Sequence, residues 1–169
     1  SLSVYAEASR PGLDETAPVA TLDDPLTDDI AAHYGALKAR CEDEVRAAFG
    51  RCALAVRPGL IVGPHDPTDR FAYWVARFAC PQVLGLRPVP ALVPGPWNRA
   101  VQFIDARDLA TWLLDASAAR LAGTFNAVSP PEMWTIGALI DVLGERARSA
   151  GRAVTPAWID DATLVAHGV

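Results

Sequence analysis

The sequence is short of cysteine, of basic clusters and of long apolar runs, and each shortage removes a class of protein. Cys41, Cys52 and Cys80 are odd in number and follow neither a C-x-x-C nor a metal-ligand spacing. A disulfide scaffold and a structural zinc are therefore set aside, and reduced thiols in a cytoplasmic protein are expected. The most apolar stretch, Cys52 to Val62, is interrupted by Arg57 and Pro58 and falls far below the roughly 20 residues of a membrane helix. Lys and Arg total 15 against 20 Asp and Glu, a net charge of −5. No group of them is dense enough to track a phosphate backbone, so neither a membrane nor nucleic acid is an expected partner.

Catalytic signatures are missing too. There is no G-x-S-x-G elbow, and His33, His65 and His167 accompany no candidate nucleophile, which argues against a serine hydrolase. The carboxylate pairs Asp23-Asp24, Asp28-Asp29 and Asp160-Asp161 fall in loops or at helix starts, where capping accounts for them. The opening "SLSVYA" lacks an initiator Met and a charged-then-apolar leader, so it does not read as a signal peptide. It reads as the end of a buried strand, with the expectation that the polypeptide is the later part of something longer.

What is present is ample apolar material: 51% of the 169 residues are hydrophobic, enough for a substantial core. From Glu7 to Leu26 prolines, a glycine and acidic residues without periodicity predict a long loop. "TDDIAAHYGALKARCEDEVRAAFG" then predicts a helix with Thr27 as N-cap, Asp28 and Asp29 on the positive end of its dipole and Gly50 as its stop. Ile30, Tyr34, Leu37, Cys41, Val45 and Ala48 recur at helical spacing and predict its buried stripe. "CALAVRPGLIVGP" predicts a strand buried on both faces, as in a parallel sheet. Helices are expected over 68–80, 106–119 and "TIGALIDVLGERARSAG", strands at "VQFI" and "GTFNAV", and a last strand-helix piece around "VTPAWIDDATLVAHGV". "LRPVPALVPGPWN" reads as irregular.

Tyr34 and Lys38 carry the chemistry best. A tyrosine hydroxyl has a reference pKa of about 10 and is a poor base near neutral pH unless a positive charge stabilises the phenolate. A lysine one helical turn away supplies that charge. Taken alone, Y-x-x-x-K is a weak match and reads better as a buried Tyr beside a snorkelling Lys. His33, adjacent in sequence, points about 100° away around the helix.

Three ordered features sharpen the reading: the serine cluster "SLSVY" before the pair, the strand "VRPGLIVGP" after its helix, and "VQFIDARDLA" further on. In that order the chain resembles the extended short-chain dehydrogenase/reductase superfamily, the NAD-dependent epimerase/dehydratase branch, from Ser1 to about Asn126. "RPGLIVGPHDPTDRFAYW" looks most like bacterial reductase-like members. The resemblance implies an α/β fold: the C-terminal part of a doubly wound parallel sheet over residues 1–64, and a smaller α/β substrate domain over 65–169. It implies NAD or NADP as cofactor and a carbonyl or hydroxyl carbon as the site of hydride transfer. Tyr34 would be the general acid/base, Lys38 would hold the nicotinamide ribose and lower the tyrosine pKa, and Ser1, with Ser3 as fallback, would bind the substrate oxygen. Pro58, Gly59, Leu60 and Ile61 would line the nicotinamide pocket, and Arg70 and Trp74 could face the substrate.

The chain departs from the family in two places. The glycine-rich turn that seats a dinucleotide pyrophosphate is absent, which implies that this segment alone binds cofactor poorly and is inactive. Where nucleotide-sugar members carry a diphosphate-binding arginine the aligned residue is Val101, with Arg99 out of register. A reductase or dehydrogenase is thus placed ahead of a nucleotide-sugar epimerase/dehydratase, with a non-catalytic dinucleotide-sensing or protein-interaction module as the reading from another class. Asp105, Arg107 and Asp108 read as a capped, ion-paired helix start. Expected partners are a small-molecule substrate, with a homodimer possible. Glu7–Leu26 and Pro81–Asn98 are expected to form the rim of one pocket containing Tyr34.

Overall fold

A computed structural model describes residues 1–7, 12–79, 90–130 and 134–168. The chain forms two compact units, Ser1–Ile61 with Gln102–Pro131, and Val62–Val101 with Glu132–Val169. Among the described residues no helix is long and apolar enough to cross a membrane. Both units are α/β, each with a parallel strand pair at its centre.

In the first unit, β1 (Leu54–Pro58) pairs in parallel with β5 (Gly123–Ala127), Leu54 opposite Gly123 and Pro58 opposite Ala127. Ala55 and Arg57 are buried on one face of β1 while Leu54, Val56 and Pro58 on the other are half-buried, so the expected burial on both faces is not met. Gly59 ends this pairing. Its N–H still donates to Ala127 O at 3.2 Å, whereas Leu60 N–H turns to Gln102 O at 3.1 Å and begins β2 (Leu60–Val62), which pairs with β4 (Phe103–Asp105). A Cβ at Gly59 would lie 3.1 Å from Gln102 O and 3.3 Å from Val128 Cγ1, a fit only glycine makes without displacing backbone.

Helix α1 (Ile30–Phe49) starts two residues later than Thr27 capping predicts. Asp29 is the N-cap, its carboxylate accepting from Ala32 N–H at 3.0 Å, and Thr27 instead accepts from Asp29 N–H. Gly50, at φ 53°, closes the helix as expected. The buried stripe is a correction of a larger kind. Ala36 and Ala39 are the buried residues of α1, while Ile30, Tyr34, Cys41 and Val45 are exposed. Small residues face inward because α1 lies directly on backbone: a Cβ at Gly35 would overlap the Ser3 carbonyl oxygen.

The opening residues are likewise no strand. Leu2–Val4 form a single 3-10 turn capped by Ser1, whose Oγ accepts from Ser3 N–H at 3.3 Å. Tyr5 then bridges antiparallel to Val19, and Ala20 N–H donates to Val4 O at 2.7 Å. Val4, Tyr5 and Ala39 form a small core onto which Leu2, Leu13, Ala17 and Val19 pack, so the early loop is held by its own side chains. Glu15 Oε1 accepts from the Asn126 backbone N–H at 2.6 Å, fastening that loop to β5.

Helix α3 (Ala106–Ala118) begins as expected, with Asp105 as N-cap and Arg107 paired to it at 2.6 Å. The Arg107 hydrogen bonds hold the Asp105 carboxyl at about 2.

In the second unit, β3 (Ala91–Pro94) pairs in parallel with β6 (Pro156–Ile159). Helix α2 (Ala72–Ala79) packs on α4 (Ile136–Ser149), which Thr135 caps through Ala138 N–H. Phe78, Ala91, Val93, Ile136, Ile140 and Ala147 form its core. Ile136, Ile140 and Ala147 fall on one side of α4 by helical spacing. A short helix α5 (Asp161–Ala166), capped by Asp160, closes the chain.

Candidate active site

Tyr34, Lys38, Ser1 and Pro58–Ile61 all belong to the first unit; Arg70 and Trp74 belong to the second. Tyr34 and Lys38, four residues apart on α1, line one open cleft of about 570 Å³. Its other walls are Ile30, Leu37, Arg40, Cys41 and Glu44 from the same helix and Pro25, Leu26 and Thr27 from the loop before it. Arg40 ties that loop down by donating from Nη1 to Pro25 O. The end of the early loop therefore does border Tyr34. Of the other expected rim segment, residues 81–89 lie outside the described residues.

Tyr34 keeps 48% of its surface exposed, so its phenol is accessible from the cleft. The residue before it, His33, leaves helical geometry at φ −121° and ψ 21°. The residue after it, Gly35, receives the backbone of Ser3. The serine turn is thus seated on α1 beside Tyr34. Ser1 Oγ donates to Ser3 Oγ at 3.1 Å.

Pro58 ends β1 at its carboxyl edge, Gly59 is the pivot, and Leu60 and Ile61 open β2, with Ile61 42% exposed. Such an edge is where open parallel sheets accept ligands. Arg70 Nε donates to Thr68 Oγ1 at 3.0 Å. Trp74 packs on the core of the second unit and meets Tyr73 edge-on at 5.1 Å between centroids. Val101 also packs on that core, and Arg99 is engaged by Asp161 at 2.6 Å and by the Gly95 carbonyl.

A charged network beneath α1 went unread in the sequence. Arg57 is 3% exposed, and its Nε and Nη2 meet the two Glu42 oxygens at 3.0 and 2.7 Å. Arg46 adds a contact to Glu42 Oε2 at 2.8 Å. The guanidinium carbon lies 4.9 Å from the centre of the Tyr5 ring, and Tyr5 Oη donates to Asn126 Oδ1 at 2.7 Å. Burial pushes the Glu42 carboxyl up, but the hydrogen bonds and charge of Arg57 and Arg46 more than offset it and hold it below the usual range. Hydrogen bonding to Glu42 raises the Arg57 guanidinium further, against its burial. The available signal was a charge inside "LAVRPGLIV": an arginine in a buried strand must find a counter-ion. Nη1 of Arg57 is buried without a partner among the described residues.

No protein-family model matches the chain. No curated protein matches it either. Several solved structures share its fold, among them the following three. A protein from Burkholderia cenocepacia J2315 provisionally described as an epimerase superposes with a TM-score of 0.61 at 21% identity, over 94% of this chain and 47% of its own. RMD from Pseudomonas aeruginosa, solved with NADPH, gives 0.63 at 21% identity, over 94% and 51%. UDP-glucose 4-epimerase from Thermus thermophilus, solved with NAD, gives 0.56 at 22% identity, over 98% and 54%. The chain spans about half the length of each. At these identities the likeness establishes the α/β fold and leaves the chemistry to the residues.

Proposed function

We propose that the chain carries the acid/base half of an NAD(P)-dependent oxidoreductase of the extended short-chain dehydrogenase type, acting at a carbonyl or hydroxyl carbon of a small-molecule substrate. The carrying observation is that Tyr34 and Lys38 line one cleft while the serine turn rests on the next residue of the same helix. Solved structures of like fold contain NADPH or NAD, which supports the choice of cofactor. For the nicotinamide-ribose end the cleft offers a phenol and an ammonium; Pro58–Ile61 are not among its lining residues, and their place in the cofactor site is part of the proposal. The residues here include no glycine-rich turn for the pyrophosphate, so the activity is proposed for the whole protein.

NAD(P), when bound, would supply or accept the hydride. Tyr34 Oη gives its proton to the substrate oxygen in reduction and takes it back in oxidation. Lys38 stabilises the resulting phenolate by its charge. In a cleft open to water that field is weakened by the high effective dielectric, so displacing the water on substrate binding strengthens it. A hydroxyl of the serine turn donates to the same oxygen. Ser1 Oγ spends its proton on Ser3 Oγ, whereas the Ser3 hydroxyl proton has no acceptor among the described residues, so Ser3 is the freer donor and Ser1 serves only by turning away from it.

Reduction or oxidation is favoured over nucleotide-sugar epimerisation because Val101 is packed into a core and Arg99 is committed to Asp161. The test is Tyr34→Phe in the complete enzyme, followed by NAD(P)H absorbance over a panel of carbonyl compounds. Turnover falls by at least about 10²-fold with cofactor affinity kept; unchanged turnover would remove Tyr34 from the chemistry.

A further inference from the structure

The second unit has a crevice that the reading of Tyr34 does not use. β3 and β6 run parallel, and beyond their carboxyl ends the chain opens a space of about 610 Å³, walled by Gly95–Trp97 on one side and Trp158–Asp161 on the other. This is the position at which parallel strands present a ligand site.

Two indoles face it. Trp97 is 67% exposed and Trp158 42% exposed. Trp97 is fixed in that state. Its carbonyl accepts from Gly137 N–H at 2.8 Å, and a Cβ on Gly137 would stand 3.1 Å from Cε3 of the ring. Arg99 completes the clamp: its N–H donates to Pro96 O at 3.0 Å, and its Nη2 reaches both Gly95 O and Asp161 Oδ2. The loop bearing Trp97 is therefore joined to the start of α5. An aromatic face held open at this ordering cost is preorganised for an occupant.

Charge decides which occupant. The walls contribute two carboxylates, Asp160 and Asp161, and no base. Asp160 accepts from Thr163 N–H and Oγ1, which hold it below the usual carboxylate range, so it is ionised at neutral pH. Asp161 gives Oδ2 to Arg99, and its other oxygen has no partner among the described residues. Counting Arg99, the crevice keeps one net negative charge. A calcium-like ion requires six to eight oxygen ligands, whereas indole faces beside a carboxylate suit a weakly hydrated cation.

We propose that this crevice binds a small quaternary ammonium ion, its methylated cationic head against the indole faces of Trp97 and Trp158 and beside the carboxylates of Asp160 and Asp161. Choline is the probe, and 3,3-dimethylbutan-1-ol, which has the same shape without the charge, is its control. The readout is the indole N–H signals of the chain by NMR, assigned with Trp97→Phe and Trp158→Phe. Choline shifts the Trp97 and Trp158 signals saturably, binds at least about fivefold more tightly than the neutral alcohol, and loses a similar factor in Asp161→Asn. Equal binding of the two compounds, or choline shifts confined to other indoles, overturns the proposal. The comparison of probes needs only the wild-type chain, so a variant that fails to fold does not remove the test.

Discussion

Gly35 accepts the carbonyl of Ser3 against its bare Cα, and this contact seats the serine turn on the helix that carries Tyr34 and Lys38. Added volume here meets backbone, which cannot rotate aside. Gly35→Ala is expected to destabilise the first unit by about 1–3 kcal/mol despite alanine's better helix propensity, because the turn must lift from α1. A urea titration that finds the variant as stable as wild type would show that the turn gives way freely.

Lys38 is expected to act in two ways, and a single substitution separates them from a surface role. In the complete enzyme Lys38→Met removes the charge that stabilises the Tyr34 phenolate and the ammonium that holds the ribose, while keeping the aliphatic stem. Turnover falls and the Michaelis constant for NAD(P) rises. A variant in which turnover and cofactor binding are both unmoved makes Lys38 a bystander.

The elements were largely readable, and the faces were not. Periodicity located α1, α3, α4 and the strands β1 and β5, because capping and turn residues act within a few positions: Asp105, Asp160 and Gly50 do in the fold what local chemistry asks of them. The stripe Ile30–Tyr34–Leu37–Cys41–Val45 was equally periodic, yet α1 turns Ala36 and Ala39 inward. Its inner neighbour is the backbone of the serine turn, and only small side chains allow that approach. "SLSVY" failed as a strand for a related reason: Ser1 caps a 3-10 turn through its own hydroxyl, an interaction that apolar patterning does not register. The Arg57–Glu42 pair joins residues 15 apart, outside any local window.

That pair sets an acid dependence. Glu42 has a folded pKa below its unfolded value, so its contribution is complete well above about pH 4.3 and is lost as pH falls through the folded value. Glu42→Gln removes Glu42's share of the acid-side slope. It also leaves Arg57 buried without its counter-ion, a loss of about 3–5 kcal/mol at neutral pH. Denaturation midpoints measured from pH 7 down to pH 3 check both parts, and an unchanged slope in the variant would assign the acid sensitivity elsewhere.

The two units have separate cores, and Phe78 tests whether they behave as separate folding units. Phe78 is 1% exposed and sits among Ala91, Val93, Ile136 and Ile140, joining α2 to both β3 and α4. None of these residues belongs to the core of Val4, Tyr5 and Ala39 in the first unit. Phe78→Ala removes a ring from a packed site that β-strand backbone on one side and a helix on the other keep from collapsing, a cost of about 3–5 kcal/mol. Leu114, 73% exposed on α3, has no such packing to lose, and Leu114→Ala is expected to stay within about 0.5 kcal/mol. Amide hydrogen exchange reads the distinction directly, since local opening is governed by the contacts within each cooperative unit. In Phe78→Ala, protection falls along α2, α4, β3 and β6, while α1, β1 and β5 keep theirs. Equal loss in both sets would mean that the two cores open together, and that Phe78 stabilises the serine turn and the Tyr34 cleft as much as its own unit.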